Sequence, residues 1–473
     1  MAEVARLLAQ RADERPDAIA YVSGPDGRTL TWADLARQAA RRRASTLAPQ
    51  ARIGISTADP LEFAALYLGL LAAGRTAVPL DPRLTPHERE AAVVRLGVSL
   101  TLPEDFVRGH AHPPHDHVID PPAVLLTSSG TTGQPKGIAL SEAQLLAAAR
   151  RVARHHRLGP ADRGYSPLPL FHVNAQVIGL LVALVSGASL VLDPRFEASA
   201  YWDRVAAWRP TWLNTVPAIL SALAARPSPP SAVVDRIRFA RSASAPLPVP
   251  VSRAFTATTG ISVLQTYGMT EAAGQITANP LDPSGRREGS VGLPVGVGLA
   301  VLGSEGQLLP AGETGMVALH GPAVTAHYLV TGPDGHERRR PAADAFGWLP
   351  TGDLGHRDDD GFLYLAGRAD DVINRGGEKV FPLEVEEVLL THPAIRAAAV
   401  VGTADPRLGQ VPVALVTMLP GRPAASVVAE LHRLCEQRLA RWKRPDRIEV
   451  AAALPTGPTG KVLRRRVREE LSR

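Results

Sequence analysis

The segment Thr127-Ser-Ser-Gly-Thr-Thr-Gly-Gln-Pro-Lys-Gly137 and its two flanks decide the fold of this chain. The apolar run Ala123-Val-Leu-Leu126 before it predicts a buried strand. After it, Ser141-Glu-Ala-Gln144 has the spacing of a capping box, which predicts a helix that continues to about His156. The sequence therefore predicts a strand, a flexible loop and a helix, in this order.

The loop between these two elements has the composition of a phosphate-binding site. Its eleven residues include five hydroxyls, three glycines and one lysine. Glycines allow backbone N–H groups to turn toward an anion, hydroxyls add hydrogen-bond donors, and the ammonium adds a full charge. The loop is not a Walker A motif, because no Gly-Lys-Ser/Thr ends it. We interpret it as a polyphosphate-binding loop rather than as a plain surface loop of small residues.

Length and composition limit the class of protein to which the chain can belong. A chain of 473 residues is expected to form two or more domains. The single cysteine excludes a disulfide framework and favours a cytoplasmic protein, and the N-terminus lacks the apolar run of a signal peptide. The longest apolar stretch, residues 177–192, is too short and too interrupted to span a membrane. The net charge of +6 is scattered, so we expect no nucleic-acid partner.

Lysine is rare in this chain, which makes each lysine a candidate functional residue. Only Lys136, Lys379, Lys443 and Lys461 are lysine, whereas 48 of the 52 basic residues are arginine. Because arginine supplies nearly every general surface cation, a lysine that remains is favoured where a compact ammonium with rotatable donors is needed. Each of the four lies near glycine or proline in a loop-like context.

Strand and helix patterns alternate through most of the chain. The apolar strands Arg52-Ile-Gly-Ile55 and Thr76-Ala-Val-Pro-Leu80 flank a predicted helix from Leu61 to Ala73. This alternation predicts an α/β fold, with a large N-terminal domain of mostly parallel sheets and helices over residues 1–369. The composition changes near residues 366–371, and residues 370–473 are predicted to form a small C-terminal α+β domain.

Apolar spacing also predicts the elements of the small domain. We expect helices over residues 382–391 and 424–440, strands over residues 397–401, 411–418 and 447–453, and a last helix after a glycine-rich loop. Cys435 shares a helical stripe with Val428 and Leu431, so we interpret it as a core residue and not as a nucleophile.

Several motifs, taken together, point to a known family. In chain order, they are the loop 127–137, Tyr267-Gly-Met-Thr-Glu271, Trp348-Leu-Pro-Thr-Gly-Asp353, Gly367-Arg-Ala-Asp-Asp371 and Pro455-Thr-Gly-Pro-Thr-Gly-Lys461. From Thr31 onward the chain resembles the AMP-forming adenylating enzymes, the superfamily of acyl-CoA synthetases, peptide-synthetase adenylation domains and luciferases. It most resembles oxalate–CoA ligases and related small-acid ligases, through Phe171-His-Val-Asn174, Arg195-Phe-Glu-Ala-Ser199, Asn214-Thr-Val-Pro217 and Ile373-Asn-Arg-Gly-Gly-Glu-Lys379.

The resemblance implies a reaction in two steps that uses ATP, Mg²⁺ and CoA. A carboxylate attacks the α-phosphorus of ATP, pyrophosphate leaves, and a thiol then displaces AMP from the acyl-adenylate. Two anions must meet in the first step, so positive charge and hydrogen-bond donors must bridge them. By resemblance, Lys461 bridges the carboxylate and the phosphate, Thr270 is a donor to the α-phosphate, and Glu271 is a ligand of Mg²⁺.

The same resemblance assigns the other contacts to the nucleotide. Lys136 is the fixed cation of a pyrophosphate clamp, Tyr267 covers the adenine face, Asp353 accepts hydrogen bonds from the ribose hydroxyls, and Arg368 reaches the sugar. The residues assigned to ATP or AMP are Thr127, Ser128, Ser129, Gly130, Thr131, Thr132, Gly133, Lys136, Ser244, Ala245, Pro246, Tyr267, Gly268, Met269, Asp353 and Arg368.

The resemblance further implies that the small domain rotates between the two steps. Asp370 occupies the hinge position, with Asp371 beside it. The rotation exchanges the loop of Lys461 for the loop of Gly376 and Gly377, whose small size allows the pantetheine arm of CoA to pass close to the backbone.

Three further residues are expected to shape the acid pocket, namely His172, Asn174 and Gly274. The oxalate-type ligases, as the resemblance has it, carry histidines at the positions of Asn174 and Gly274. Both are replaced in this chain, which removes two cationic partners for oxalate and opens space for a larger or aromatic acid.

Three hypotheses about function follow. The first is an AMP-forming acid–CoA ligase that activates a small carboxylic acid. The second is a diazotase of a natural-product pathway, which adenylates nitrite and transfers it to an aromatic amine without CoA. The third is a binding protein of the same fold, against which the intact Lys461, Glu271 and Asp353 argue. We expect a monomer or a homodimer that binds small molecules and neither nucleic acid nor membrane.

Overall fold

A computed structural model describes residues 2–43, 51–103, 122–128, 136–332, 337–458 and 460–472. Within these ranges the large domain contains three sheets and the small domain a fourth. The predicted fold class is confirmed: a large α/β domain precedes a small α+β domain. No helix in the described ranges is long and apolar enough to cross a membrane.

The first sheet is parallel in its middle and antiparallel at both edges. Parallel pairing runs from Val263–Met269 through to Ile19–Ser23, and the outermost strands pair antiparallel. Its strand order is Leu293–Pro294, Gly274–Ala278, Val263–Met269, Phe239–Ser242, Trp212–Thr215, Arg163–Ser166, Ser189–Leu192, Ile19–Ser23 and Thr29–Thr31.

Half of the second sheet is parallel and half is antiparallel. The parallel half contains three strand pairs that are linked by crossover connections. The antiparallel half begins where Val124–Ser128 pairs with Lys136–Leu140. The strand order is Glu337–Pro341, His327–Thr331, Lys136–Leu140, Val124–Ser128, Thr76–Pro79, Arg52–Ile55 and Leu100–Leu102. The expected sequence of strand, loop and helix at residues 123–156 was therefore wrong in one respect. A short strand precedes the helix, because Ile138 and Leu140 are buried and bond to the neighbouring strands.

The third sheet is antiparallel throughout and the second is parallel in only half of its strand pairs, so the prediction of mostly parallel sheets holds for the first sheet. Its strands, Gly298–Leu302, Gly315–His320, Leu349–Arg357 and Leu363–Arg368, carry several glycine turns. This sheet contacts the end of the first sheet through a bridge between Gly292 and Leu363. Asp353 and Arg368, two of the predicted nucleotide ligands, lie on paired strands of this sheet.

The helices of the large domain cover the two larger sheets. Pro60–Ala72 is buried on all sides, and Asp59 begins it by accepting hydrogen bonds from two backbone N–H groups. Glu142–His155 begins with the predicted capping box of Ser141 and Gln144. Asn174–Leu181 is a buried π-helical segment that continues as the helix Val182–Ser186. The other helices are Glu3–Glu14, Trp32–Arg43, Pro86–Leu96, Tyr201–Trp208, Pro217–Ala224, Ser231–Val234 and Val249–Thr259.

The small domain follows its predicted pattern closely. The helices are Pro382–Leu390, Ala424–Arg438 and Arg464–Leu471, and the sheet contains Glu378–Val380, Ile373–Arg375, Gly409–Met418, Ile395–Asp405 and Arg447–Val450. Cys435 is buried among Val427, Leu431 and Ile448, as expected, and burial raises the pKa of its thiol to about 11. A thiol that remains protonated at neutral pH is no nucleophile.

A buried ion pair fastens the last helix to the small domain. Arg464 donates to both carboxylate oxygens of Glu386, at 2.6 and 3.0 Å, and to the carbonyl of Val400 at 2.6 Å. It also lies 3.3 Å from Asp371 in the predicted hinge. Burial raises the pKa of Glu386 although Arg464 opposes this shift, so the carboxylate depends on its partner. Since Arg464 follows Lys461 by three residues, the same pair anchors the Lys461 loop.

We expect Arg464→Ala to destabilise the small domain by about 3–5 kcal/mol, because the variant leaves Glu386 buried without a cation. The measurement is hydrogen exchange of the strand Ile395–Asp405, read by mass spectrometry in the full chain. The neighbouring Arg465, whose side chain is 86% exposed, provides the control. Arg465→Ala should change the stability by less than about 0.5 kcal/mol. Equal exchange in the two variants would contradict the anchoring role.

Candidate active site

The predicted phosphate-binding loop connects two antiparallel strands. Thr127 pairs with Gly137 and Ser128 with Lys136, so the two ends of the loop are held side by side. Thr127 is exposed. The predicted ligands Ser129, Gly130, Thr131, Thr132 and Gly133 lie outside the described residues, as does the side chain of Ser128.

Tyr328 positions the lysine of this loop. The ammonium of Lys136 lies 4.8 Å from the centre of the Tyr328 ring, and the guanidinium of Arg340 lies 5.6 Å from the same centre. These distances are within the range of cation–π attraction. The strand of Tyr328 pairs with the strand of Lys136 on one side and with that of Arg340 on the other. Sequence reasoning missed both Tyr328 and Arg340.

Glu271 faces this cluster from the first sheet. The hydroxyl of Tyr328 lies 3.4 Å from the carboxylate of Glu271, a long contact, and the backbone carbonyl of Glu271 accepts from Thr325 at 2.7 Å. Burial raises the pKa of Glu271, whereas the charges of Lys136 and Arg368 oppose the rise. The structure thus brings together Lys136 and Glu271, which are 135 positions apart in the chain.

A tight turn presents Thr270 and Glu271. The strands Val263–Met269 and Gly274–Ala278 pair antiparallel, and the register shifts between Tyr267 and Gly268. A Cβ on Gly268 would lie 2.0 Å from the carbonyl oxygen of Gly274, so only glycine fits there. The turn closes through Ala273 and Gly274, which have φ angles of +54° and +112°. A non-glycine residue in the left-handed region is a marker of functional constraint.

Asp353 and Arg368 form a second polar cluster with Tyr267. The Tyr267 hydroxyl donates to one oxygen of Asp353 at 2.6 Å, and Arg368 donates to the other oxygen at 3.3 Å. Arg368 also donates to the carbonyl of Thr351 at 2.9 Å. The two contacts orient the Asp353 carboxylate, a group suited to accept hydrogen bonds from vicinal hydroxyls.

The predicted acid-pocket residues adjoin a buried network of amides. Asn174 donates to the hydroxyl of Ser244 at 3.0 Å, and Ser244 has an unusual φ of +72°. Gly274 lies beside Ile178, which a Cβ at this position would approach to 3.6 Å. Burial lowers the pKa of His172 to about 4, so its imidazole is neutral at pH 7.

Arg241 is a buried member of this network that sequence reasoning missed. Its guanidinium donates to the side-chain oxygen of Asn174 at 3.2 Å and to that of Asn214 at 3.1 Å. One signal was present in the sequence: an arginine interrupts an otherwise small or apolar strand, Phe239–Ser242. Because arginine is almost never fully buried unless it is paired, an arginine on a strand with the pattern of a buried one is a candidate functional residue.

The two loops of the small domain differ in their contacts with the large domain. Lys461 is exposed, and its neighbour Gly460 lies so close to the helix Pro217–Ala224 that a Cβ would come within 2.8 Å of Ala218. Gly376 and Gly377 have φ angles of +62° and +97°, the left-handed turn expected of two glycines. Nothing in the described ranges lies within 4 Å of a Cβ on Gly377.

Comparison with known proteins identifies the family. The sequence profile described as AMP-binding enzyme matches residues 8–120 and 103–329, and that of the AMP-binding enzyme C-terminal domain matches residues 384–461.

The chain belongs to the AMP-binding enzyme family.

Relatives of this AMP-binding enzyme include several acid–CoA ligases. Sulfoacetate–CoA ligase of Cupriavidus necator is 38% identical over 498 aligned positions, which cover 98% of this chain and 96% of the relative. Oxalate–CoA ligase of Arabidopsis thaliana is 33% identical over 508 positions, which cover 97% of this chain and 96% of the relative.

Solved structures of similar enzymes have the same fold. The anthranilate CoA ligase in complex with anthranoyl-AMP has a TM-score of 0.86 and 25% identity, with 99% of this chain and 96% of that chain covered. O-succinylbenzoate CoA synthetase from Bacillus subtilis, in complex with ATP and magnesium, has a TM-score of 0.80 and 28% identity, with 99% of each chain covered. This AMP-binding enzyme is an AMP-forming acid–CoA ligase that uses ATP, Mg²⁺ and CoA.

The site of the AMP-binding enzyme suits Mg²⁺ through a single carboxylate. Proteins commonly hold Mg²⁺ with one or two carboxylates and leave the other positions to phosphates and water. In the described ranges no group of three or more His, Cys, Asp or Glu residues could hold a metal ion. Glu271 would supply one hard oxygen ligand, which fits a metal ion that is bound mainly by the nucleotide.

We expect Tyr328→Leu to raise the KM for ATP by about 3–10-fold, because Lys136 loses the ring that holds its ammonium in place. Tyr328→Phe keeps the ring and removes only the long contact to Glu271, so its KM should stay within about twofold of the wild type. Steady-state pyrophosphate release at varied ATP concentration provides the measurement. A Phe variant as impaired as the Leu variant would show that the hydroxyl, and not the ring, is the important group.

Proposed function

We propose that this enzyme activates a small carboxylic acid as its adenylate, with pyrophosphate release, and transfers the acyl group to CoA at one site. The observation that carries this proposal is the convergence of Lys136 and Glu271 at Tyr328. A cation and a half-buried carboxylate at the mouth of a donor-rich loop suit a magnesium-bound polyphosphate. Asp353 and Arg368, whose side chains contact each other, supply the grip on the ribose.

Each side chain then has one task in the adenylation step. Lys136 and the loop that begins at Thr127 bind the leaving pyrophosphate, and Thr270 donates to the α-phosphate. Tyr267, with its hydroxyl fixed by Asp353, packs on adenine beside Ser244, Ala245 and Pro246. These groups are in position before the reaction, so they stabilise the transition state without the cost of reorganisation.

Lys461 is the residue that we assign to the carboxylate. Gly460 packs against the start of the helix Pro217–Ala224, and this contact supports the role of Lys461. Val216 and Pro217 directly follow the strand that bears Asn214. We assign the boundary between the domains to residues 369 and 370 and the hinge to Asp370. Rotation about this hinge would exchange the Lys461 loop for that of Gly376 and Gly377, and would open a path for the CoA thiol.

The names of the relatives leave the acid undecided. Sulfoacetate, oxalate and succinylbenzoate carry two acidic groups, whereas indoleacetate and long-chain fatty acids carry one. We therefore propose a ligase of small acids from the chemistry of the site, and we argue the choice of acid from the residues of the pocket. That the enzyme is a monomer or a homodimer remains a prediction.

Pyrophosphate release with a panel of acids tests the function. We expect release that depends on a small carboxylic acid, and thioester formation on addition of CoA. Nitrite-dependent release that needs an aryl amine and no CoA would favour the diazotase instead. Absence of release with every acid and with nitrite would overturn both, and would leave a nucleotide-binding protein.

We expect Lys461→Ala to lower acid-dependent pyrophosphate release by about 100-fold or more, because the carboxylate loses the cation that brings it to the phosphate. Binding of ATP, measured by calorimetry, should change little. Arg465→Ala, which removes an exposed cation four residues away, is the matched control and should keep normal activity. Near-normal adenylation in the Lys461 variant would refute the assignment.

A further inference from the structure

Arg241 is a buried cation whose side-chain partners in the described part of the chain are all neutral. Its residue is 2% exposed, on the strand Phe239–Ser242 in the middle of the first sheet. Burial lowers the pKa of the guanidinium to about 9, so the group is still charged at pH 7. Buried charges in proteins are normally paired with an opposite charge, because their desolvation is costly.

The contacts of Arg241 do not compensate this charge. Its Nη1 donates to Asn174 and Asn214, and its Nε lies 3.4 Å from the amide oxygen of Gln275. In the part of the chain that the structure describes, the side-chain partners of Arg241 are these three amides, and no carboxylate forms an ion pair with it. A purely structural role would need these hydrogen bonds but not the positive charge. A neutral side chain would avoid the cost of burying a charge.

Two neighbouring side chains also lack partners. The amide nitrogen of Gln275 and the hydroxyl of Ser242 are buried and make no hydrogen bond within the described ranges. Gln275 is 2% exposed and Ser242 1% exposed. Ser242 follows Arg241 in the same strand, so its side chain points to the other face of the sheet, whereas the amide of Gln275 lies beside the guanidinium. A guanidinium next to an unpartnered amide N–H₂ group suits an oxyanion of a bound ligand.

This group lies beside the acid pocket and apart from the phosphate cluster. Asn174 links Arg241 to Ser244, and Gln275 follows Gly274 directly in the chain. The charges that act on Glu271 are those of Lys136 and Arg368. The proposed function already assigns the reacting carboxylate to Lys461. His172, which is neutral at pH 7, offers no cation to a second acidic group.

We propose that Arg241 binds a second anionic group of the acid, and that the substrates are small acids with two anionic groups, such as a dicarboxylate or a sulfonated carboxylate. This proposal rests on the proposed ligase function and names the substrate class of the same site. One end of the acid reacts at the phosphate, and the other pairs with Arg241 in the buried part of the pocket. An anion there supplies the missing counter-charge, so a neutral group of equal size leaves the guanidinium uncompensated.

Matched pairs of acids test the proposal in the intact enzyme. Malonate is compared with its half-amide, and sulfoacetate with methylsulfonylacetate, so that each pair differs in one negative charge and little in size. The readout is kcat/KM for pyrophosphate release. In one pair, we expect kcat/KM to be about 100-fold higher for the doubly charged acid than for its partner. The pair with this preference shows whether the second anionic group is a carboxylate or a sulfonate. Equal use of both members, or preference for the neutral one, would overturn the proposal.

The variant Arg241→Gln should lower kcat/KM for the doubly charged acid by about 100-fold and that for its neutral partner by less than about threefold, because only the former loses a charge pair. Arg241→Lys keeps the charge without the planar fork, so it should recover part of the preference. Equal losses for both acids in a folded Arg241→Gln enzyme would indicate a structural role and overturn the proposal. If the variant does not fold, the preference of the wild-type enzyme decides alone.

Failure of this proposal can be told from failure of the proposed function. Pyrophosphate release with singly charged acids only would overturn the role of Arg241 and leave the ligase function intact. Absence of release with every acid, from an enzyme that binds ATP by calorimetry, would overturn both.

Discussion

The stacking of the Lys136 ammonium on the ring of Tyr328 joins the two halves of the active site. Lys136 comes from the second sheet, and Glu271 comes from a turn at the end of the first. Tyr328 contacts both, because its strand pairs with that of Lys136 while its hydroxyl points to Glu271. A mobile lysine at the end of a loop would lose rotamer entropy on binding a phosphate, and an aromatic ring reduces this cost in advance.

Two half-buried arginines, Arg368 and Arg464, have carboxylate partners, and they contrast with Arg241. Arg368 pairs with Asp353 and so orients the carboxylate for a sugar. Arg464 pairs with Glu386 and Asp371, which holds the proposed hinge and the Lys461 loop to one domain. Among the described residues, the side chain of Arg241 has only amide partners. A low dielectric makes an unpaired charge expensive, so a protein keeps one where a ligand completes the pair.

Local patterns predicted the elements well and their partners poorly. The capping box of Ser141 and the helices of the small domain were found at their observed positions within a few residues, because their apolar spacing is a property of the segment itself. The strand Lys136–Leu140 was missed, because a five-residue strand between a loop and a helix is stable only when its neighbours pair with it. Tyr328 and Arg241 were missed for a similar reason, since neither belongs to a recognisable motif.

The sequence by itself determined the reaction class of this protein. The reaction class depends on the residue types in the loop 127–137, the Tyr267–Glu271 turn and the Lys461 loop, and on the order of these motifs. Residue types and order can both be read from the sequence without coordinates. The tertiary structure decided which residues meet. It brought Lys136 to Glu271 through Tyr328, and it buried Arg241 beside Asn174 with no carboxylate partner among the residues that the structure describes. The physical reason is that burial and pairing of charges depend on contacts between distant segments, which no local pattern encodes.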